Sequence, residues 1–195
     1  MVKGRRAEEI RWAYEAGLRH FGVNYAQEGR RLRQEAALPG DALWHFIGHL
    51  QSNKVKETLG VFATLQTVDR PSLVVELVKR ARVDLVQPVF LEVNSAEESG
   101  KTGAAWGDLE ALARSVAGAR GLQLDGLMTM GPAQVDEMTT RLAFRRTREM
   151  AEHLRREFPS LCRLSMGMSD SWRWAVEEGA TMIRVGTALF GPRPW

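Results

Sequence analysis

RLSMGMSDSWRWAVEEGATMIRVGTALFGP, residues 163–192, decides how the chain is built. Arg163–Met166 reads as a short strand, Ser171–Glu178 as a helix that stops at Gly179, and Thr181–Leu189 as a final strand closed by Phe190, Gly191 and Pro192. Strand, helix and strand in succession make a parallel pair joined by a crossover. Between the first strand and the helix, Ser165 to Asp170 gathers a glycine, hydroxyls and backbone N–H groups at a helix start, a natural place for an anion. The second strand carries Arg184 among apolar residues, then Gly186 and Thr187. A guanidinium buried there requires a polar partner.

The same alternation extends back to the N-terminus. Helical spacing over Ala7–Leu18 is followed by an extended segment His20–Tyr25. Ala26–Leu38 is helical and halts at Pro39 and Gly40, and Ala42–Gly48 reads as a buried strand. Leu50–Leu59 ends at Gly60, Phe62–Val68 is strand-like, and Pro71 occupies the first turn of a helix over Pro71–Ala81, where proline is tolerated. Val83–Asn94 is the mostly apolar run of a parallel strand covered on both faces. A helix over Trp106–Ala119, a strand over Leu122–Met130 and a long amphipathic helix over Ala133–Glu157 complete the series. Seven strands thus follow the first helix, which points to an α/β fold of the TIM-type (β/α)8 barrel rather than an open sheet. The eighth must precede that helix, where the sequence offers Met1, Val2 and Lys3, so a first strand that is truncated or very short is expected. No repeat, low-complexity segment or linker divides residues 1–195, and one domain is expected.

Composition narrows the function. Of the 195 residues 44% are apolar and 26% charged, the balance of a water-soluble globular domain. Gln87, Pro88 and Arg184 interrupt the longest apolar runs, none of which reaches the roughly 20 residues of a membrane span. Lys3, Arg5 and Arg6 lead directly into a charged helix, without the apolar stretch of a signal peptide, and one cysteine excludes an internal disulfide. A cytoplasmic location is expected, with no membrane partner. The net charge is only +3 and basic residues are interspersed with acidic ones, so no nucleic-acid partner is expected; Arg30, Arg31 and Arg33 read as a solvated helix face.

Three local motifs invite other chemistries. Ser99-Gly100-Lys101-Thr102-Gly103 resembles the end of a phosphate-binding loop, but Ser95 stands where that motif needs its first glycine. His45 and His49 have the spacing of a helical zinc site, but Phe46 replaces the glutamate and the segment is a strand entering a turn; no metal is expected. Cys162, between a helix and a strand without a marked basic neighbour, reads as a buried, inert thiol.

In a β/α barrel, function collects at the C-terminal ends of the strands. Those ends are Lys3; Asn24 and Tyr25; Gly48 and His49; Asn94; Met128 to Gly131; Ser165 to Ser169; and Arg184 to Thr187. Phosphate sites in such barrels are frequently built after strands seven and eight, which is where the last two groups fall.

These residues also stand in blocks that resemble the YggS/PROSC family of pyridoxal phosphate homeostasis proteins, single-domain relatives of the alanine racemase barrel (PLP fold type III). The blocks are FGVNY at 21–25, WHFIGHLQSNK at 44–54, GLMTM at 126–130, LSMGMS at 164–169 and RVGTALFG at 184–191. The resemblance spans nearly the whole chain and implies binding of pyridoxal 5'-phosphate (PLP), with Lys3 carrying it as an imine. It further implies Arg184 beside the pyridine nitrogen, Ser165, Ser169, Gly186 and Thr187 around the phosphate, and Asn24 nearby. An arginine against the ring nitrogen would keep it unprotonated and weaken the ring as an electron sink, which suits a carrier or buffer of the cofactor better than strong carbanion chemistry. A non-catalytic monomer that hands PLP to acceptor apo-enzymes is therefore expected. The alternative is an amino-acid racemase, although the second domain that completes alanine racemase has no counterpart in this chain. The chain departs from the family at Val23, usually glutamate, at Gly4, Arg5 and Arg6, usually a proline-containing turn, and in lacking the helix and most of the strand that precede the lysine.

Overall fold

The computed structural model describes residues 1–82 and 84–192; Val83, expected to open the fourth strand, lies outside the described residues. Six parallel strands form one curled sheet in chain order: β1 (His20–Val23), β2 (Leu43–Phe46), β3 (Thr64–Val68), β4 (Gln87–Glu92), β5 (Leu122–Met128) and β6 (Arg163–Ser165). Helices α1 (Ala7–Glu15), α2 (Ala26–Ala36), α3 (Pro71–Arg80), α4 (Leu109–Ala117), α5 (Glu137–Arg155) and α6 (Trp172–Glu177) connect them, with 3-10 turns at Ser52–Glu57 and Trp106–Asp108. The expected Leu50–Leu59 element is the first of these tighter turns. Local chemistry sets several ends: the Glu9 carboxylate accepts from Arg6 N–H at 2.8 Å at the start of α1, Pro71 opens α3, and Asp136 accepts from Thr139 N–H at 2.9 Å to start α5.

The period-two alternation of a strand sorts its side chains into two layers. Phe21, Val23, Trp44, Phe46, Leu65, Val89, Leu91, Leu124 and Leu164 belong to a fully buried apolar cluster together with Ile10, Leu32, Leu73, Leu77, Leu112, Phe144 and Leu154 of the helices. The residues between them, among them His45, Thr64, Gln66, Ser165 and Arg184, are equally buried but polar. The hydrophobic effect thus fastens helices to the sheet, and the enclosed side of the sheet is left for a hydrogen-bonded interior.

The ends of the chain meet at the open side of the sheet. Met182 bridges Ser165 in parallel, and Arg184 N–H donates to Gly167 O at 2.9 Å, so this segment runs alongside β6. On the opposite edge Val2 N–H donates to Gly22 O of β1 at 2.9 Å, while the Met1 nitrogen donates to Val185 O at 2.5 Å. Met1–Lys3 therefore sits between β1 and the 182–185 segment. The expected strand over Thr181–Leu189 does not form as a strand: only Met182 makes an isolated bridge, to Ser165, and past Gly186 the chain turns into a short helix, α7 (Thr187–Phe190), with Leu189 and Phe190 N–H donating back to Gly186 O. Cys162 also departs from expectation. It is exposed rather than buried, because it precedes β6 at the rim where the strand has not yet entered the core.

Candidate functional site

Lys3 has an ordered setting. Val2 is 1% exposed and tied to β1, and two residues on, Arg5 is buried, its guanidinium donating to Phe190 O at 3.0 Å, Pro192 O at 3.2 Å and Gly191 O. Arg5 thereby joins the segment carrying Lys3 to the end of α7. Lys3 is half-buried as a residue, and among the described residues its amine reaches only the Tyr25 hydroxyl, at 3.3 Å in an exposed contact, with its charge 5.0 Å from that ring. Lys3, Asn24, Gly186 and Thr187 line one small cavity of about 30 Å³ with Met1 and Arg5. Asn24 also borders a cleft of about 420 Å³ with Tyr25, Gly48, His49 and Lys54. Its position is set by packing: a Cβ at Gly48 would lie 1.9 Å from Asn24 O, so the two strand ends touch backbone to backbone.

Ser169 joins this group through its hydroxyl, which accepts from the N–H groups of Gly186 and Ala188, both at 3.3 Å. Gly167, at φ +91°, lets the chain turn there; a Cβ would meet that of Ala175 at 2.4 Å. Gly186 is buried and Thr187 exposed.

Arg184 and Ser165 form a second, deeper group. Arg184 Nη1 donates to Ser165 O at 2.8 Å and Ser165 Oγ at 2.9 Å, and Nη2 to Thr129 O at 2.7 Å and Met130 Sδ at 3.4 Å. Its Nε–H has no protein acceptor among the described residues, and no carboxylate pairs with it there. Burial pulls the guanidinium down to about 10, against a weaker pull upward from Glu92, so it remains charged at neutral pH. Ser165 is fully buried behind it and donates to Gln66 Oε1 at 2.7 Å. The structure thus places Ser165 against the arginine, whereas Ser169, Gly186, Thr187, Asn24 and Lys3 share the mouth.

Gln66 and Glu92 were not singled out in the sequence. Both are buried polar residues of strands, which is the signal that could have found them, and Thr129, in the strand end Met128 to Gly131, is buried with them. Glu92 accepts from the Thr102 hydroxyl at 2.6 Å, and its other oxygen is buried without a partner among the described residues; burial raises its carboxyl above the usual range. Tyr25 belongs to a strand end marked in the sequence, but only the fold brings it to Lys3, and only the fold gives Arg5 its partners at the end of α7. His45 Nδ1 lies 2.8 Å from Thr64 Oγ1 and its Nε2 2.9 Å from His20 Nδ1, so its ring is occupied by neighbours within the sheet.

In sum, the site offers an amine with one weak partner, a buried cation with only neutral acceptors, and N–H groups held loosely by a serine. Such a donor set suits an anionic, aldehyde-bearing aromatic ligand: the cation and N–H groups for its negative and lone-pair atoms, the amine for its carbon.

Comparison with known proteins agrees with this chemistry. Residues 3–194 match the alanine racemase N-terminal domain family. The pyridoxal phosphate homeostasis protein of Aquifex aeolicus is 40% identical over 190 residues, covering 96% of this chain and 83% of the relative. That of Pseudomonas aeruginosa is 40% identical over 195 residues, covering 99% and 83%. The structure of PipY from Synechococcus elongatus with PLP bound superposes with a TM-score of 0.88 at 37% identity, covering 97% of this chain and 90% of that one. Alanine racemase of Clostridium difficile 630 shares the fold, with a TM-score of 0.80 at 15% identity over 100% of this chain and 50% of its own.

Proposed function

We infer function from a plain premise: the chain belongs to the alanine racemase N-terminal domain family and, within it, to the pyridoxal phosphate homeostasis proteins of the YggS/PROSC type. It binds PLP and serves PLP homeostasis. When bound, PLP supplies an electrophilic aldehyde carbon and a pyridine ring that can take up electron density. The observation that carries the reading is Arg184, a buried cation that among the described residues has neutral partners only and one N–H left over.

Within this reading each residue has a task. Lys3 offers the amine to the aldehyde carbon, and Arg5 and Val2 hold it in place from behind. Arg184 presents its remaining N–H to the ring nitrogen; as a donor only, it accepts no proton from the ring and favours an unprotonated nitrogen. Ser169, Gly186 and Thr187 bind the phosphate through hydroxyl and N–H groups, with Asn24 beside them, and Ser165 supports Arg184. Completion of the sheet to an eight-membered β/α barrel, with Met1–Lys3 and the 182–185 segment as its last two members, belongs to the same proposal; the hydrogen bonds of Val2 to Gly22 and Met1 to Val185 support it. A monomeric state, a cytoplasmic location and transfer of PLP to acceptor apo-enzymes belong to the same proposal. Among the described residues no helix is long and apolar enough to cross a membrane.

The test is to load the protein with PLP, reduce with borohydride and map the adduct by mass spectrometry. A single adduct on Lys3 is expected, absent in Lys3→Ala. An adduct confined to another lysine would refute the assignment. Racemisation of alanine or serine at enzyme-like rates would replace the carrier reading with the racemase one.

A further inference from the structure

Behind Arg184 a line of hydrogen bonds crosses the interior of the sheet to His20. It passes from Arg184 Nη1 to Ser165 Oγ at 2.9 Å, from Ser165 Oγ to Gln66 Oε1 at 2.7 Å, and from Gln66 Nε2 to Thr64 Oγ1 at 3.3 Å. It continues between Thr64 Oγ1 and His45 Nδ1 at 2.8 Å and ends between His45 Nε2 and Nδ1 of the exposed His20 at 2.9 Å, where the two rings stack with centroids 5.1 Å apart. His20, His45, Gln66 and Arg184 all line one cavity of about 220 Å³.

Chemistry sets donor and acceptor along this line as far as Thr64. A guanidinium can only donate, so the Ser165 hydroxyl accepts from Arg184 and must give its own proton to Gln66. The carbonyl oxygen of the Gln66 amide therefore faces Ser165, and its NH₂ faces Thr64, with Met182 Sδ 3.1 Å from the same nitrogen. The Thr64 hydroxyl accepts from Gln66 and has its proton free for His45 Nδ1; with the proton so turned, a neutral His45 carries its own on Nε2 and donates to His20 Nδ1. We propose that Gln66 is a positioning residue for Arg184, and that the Gln66–Thr64–His45 line holds the arginine's hydroxyl partner in a fixed orientation. This rests on the reading that Arg184 faces the bound cofactor.

The charges around the line favour the neutral ring. His45 meets His20 from β1 and the field of Arg163 from β6, itself 3.5 Å from Asp125; burial, then these two neighbours, lower it to about 4. At the far end Glu92 offsets part of the effect of burial on Arg184.

Nitrogen-15 NMR of the histidine side chains in the PLP-free protein reads the direction. His45 should carry its proton on Nε2 at neutral pH. Gln66→Glu keeps the shape but places an acceptor on both sides; the Thr64 proton must then turn to residue 66, and His45 should move its proton to Nδ1. The carboxylate also draws Arg184 inward, and PLP affinity, titrated by fluorescence, should fall about tenfold. Thr64→Val should leave His45 Nδ1 without its donor and weaken PLP by a similar factor, whereas Thr64→Ser restores the hydroxyl and the wild-type tautomer. A wild-type His45 protonated on Nδ1, or a Gln66→Glu protein with unchanged tautomer or unchanged PLP affinity, overturns the proposal. If the wild-type protein binds no PLP while the tautomers behave as stated, the cofactor reading falls and the directed line stands.

Discussion

Acidification should destabilise this protein through one buried imidazole. His45 is held neutral in the fold, its pKa lowered from 6.5 to about 4 by burial first and by His20 and Arg163 next. In the unfolded chain it returns to about 6.5. Between these values the unfolded state binds the proton and the folded state does not, so stability rises with pH across the window and is fully present above it. The lowering of roughly 2.5 pH units corresponds to about 3 kcal/mol, lost progressively as pH falls from about 6.5 to about 4. Two buried carboxyls, Glu92 and Asp125, are raised by burial and act in the opposite sense, favouring the fold at low pH. A comparison with His45→Asn cancels them, because the amide does not titrate while the carboxyls are common to both proteins. Urea unfolding at a series of pH values from about 7.5 to 4 gives the two stability curves. The stability difference, wild type minus variant, should shrink by about 3 kcal/mol over the range. A difference that stays constant would mean that the folded protein protonates His45 as readily as the unfolded chain does, and would refute the burial argument.

Two substitutions probe how the mouth is held. Gly48→Ala puts a methyl 1.9 Å from Asn24 O, a contact that only a shift of the β1 end relieves; a loss of about 3 kcal/mol is expected in urea unfolding, with weaker PLP binding by fluorescence. Wild-type values in both would show that Asn24 is not placed by this packing. Arg5→Ala removes the donors to three carbonyls at the end of α7 and should cost about 2–3 kcal/mol in the same assay, while lowering the yield of the borohydride adduct at Lys3. Full yield at unchanged stability would mean that Lys3 is ordered without this clamp.

The repeating strand and helix pattern, the anion-friendly turn at Ser165–Asp170 and the need of Arg184 for a partner are properties of local sequence, and they were legible there. Periodicity works over a few residues because alternation, caps and glycine breaks are local. The conformation past Gly186 was not legible, since an apolar run reads alike as a strand or as one turn of helix until neighbouring backbone groups choose between them. Nor was the exposure of Cys162, which depends on where a rim residue falls relative to the core. The support behind the Ser165 partner of Arg184 was likewise a matter of tertiary register: Gln66 and Ser165 are 99 residues apart and meet only because the curled sheet brings β3 opposite β6. Lys3 is the clearest case. The sequence by itself supplies a lysine near an N-terminus and a family pattern that selects it. Its fixed position is decided by Val2 on Gly22, Met1 on Val185 and Arg5 on the carbonyls after α7, contacts between the two ends of the chain that no short window of sequence contains.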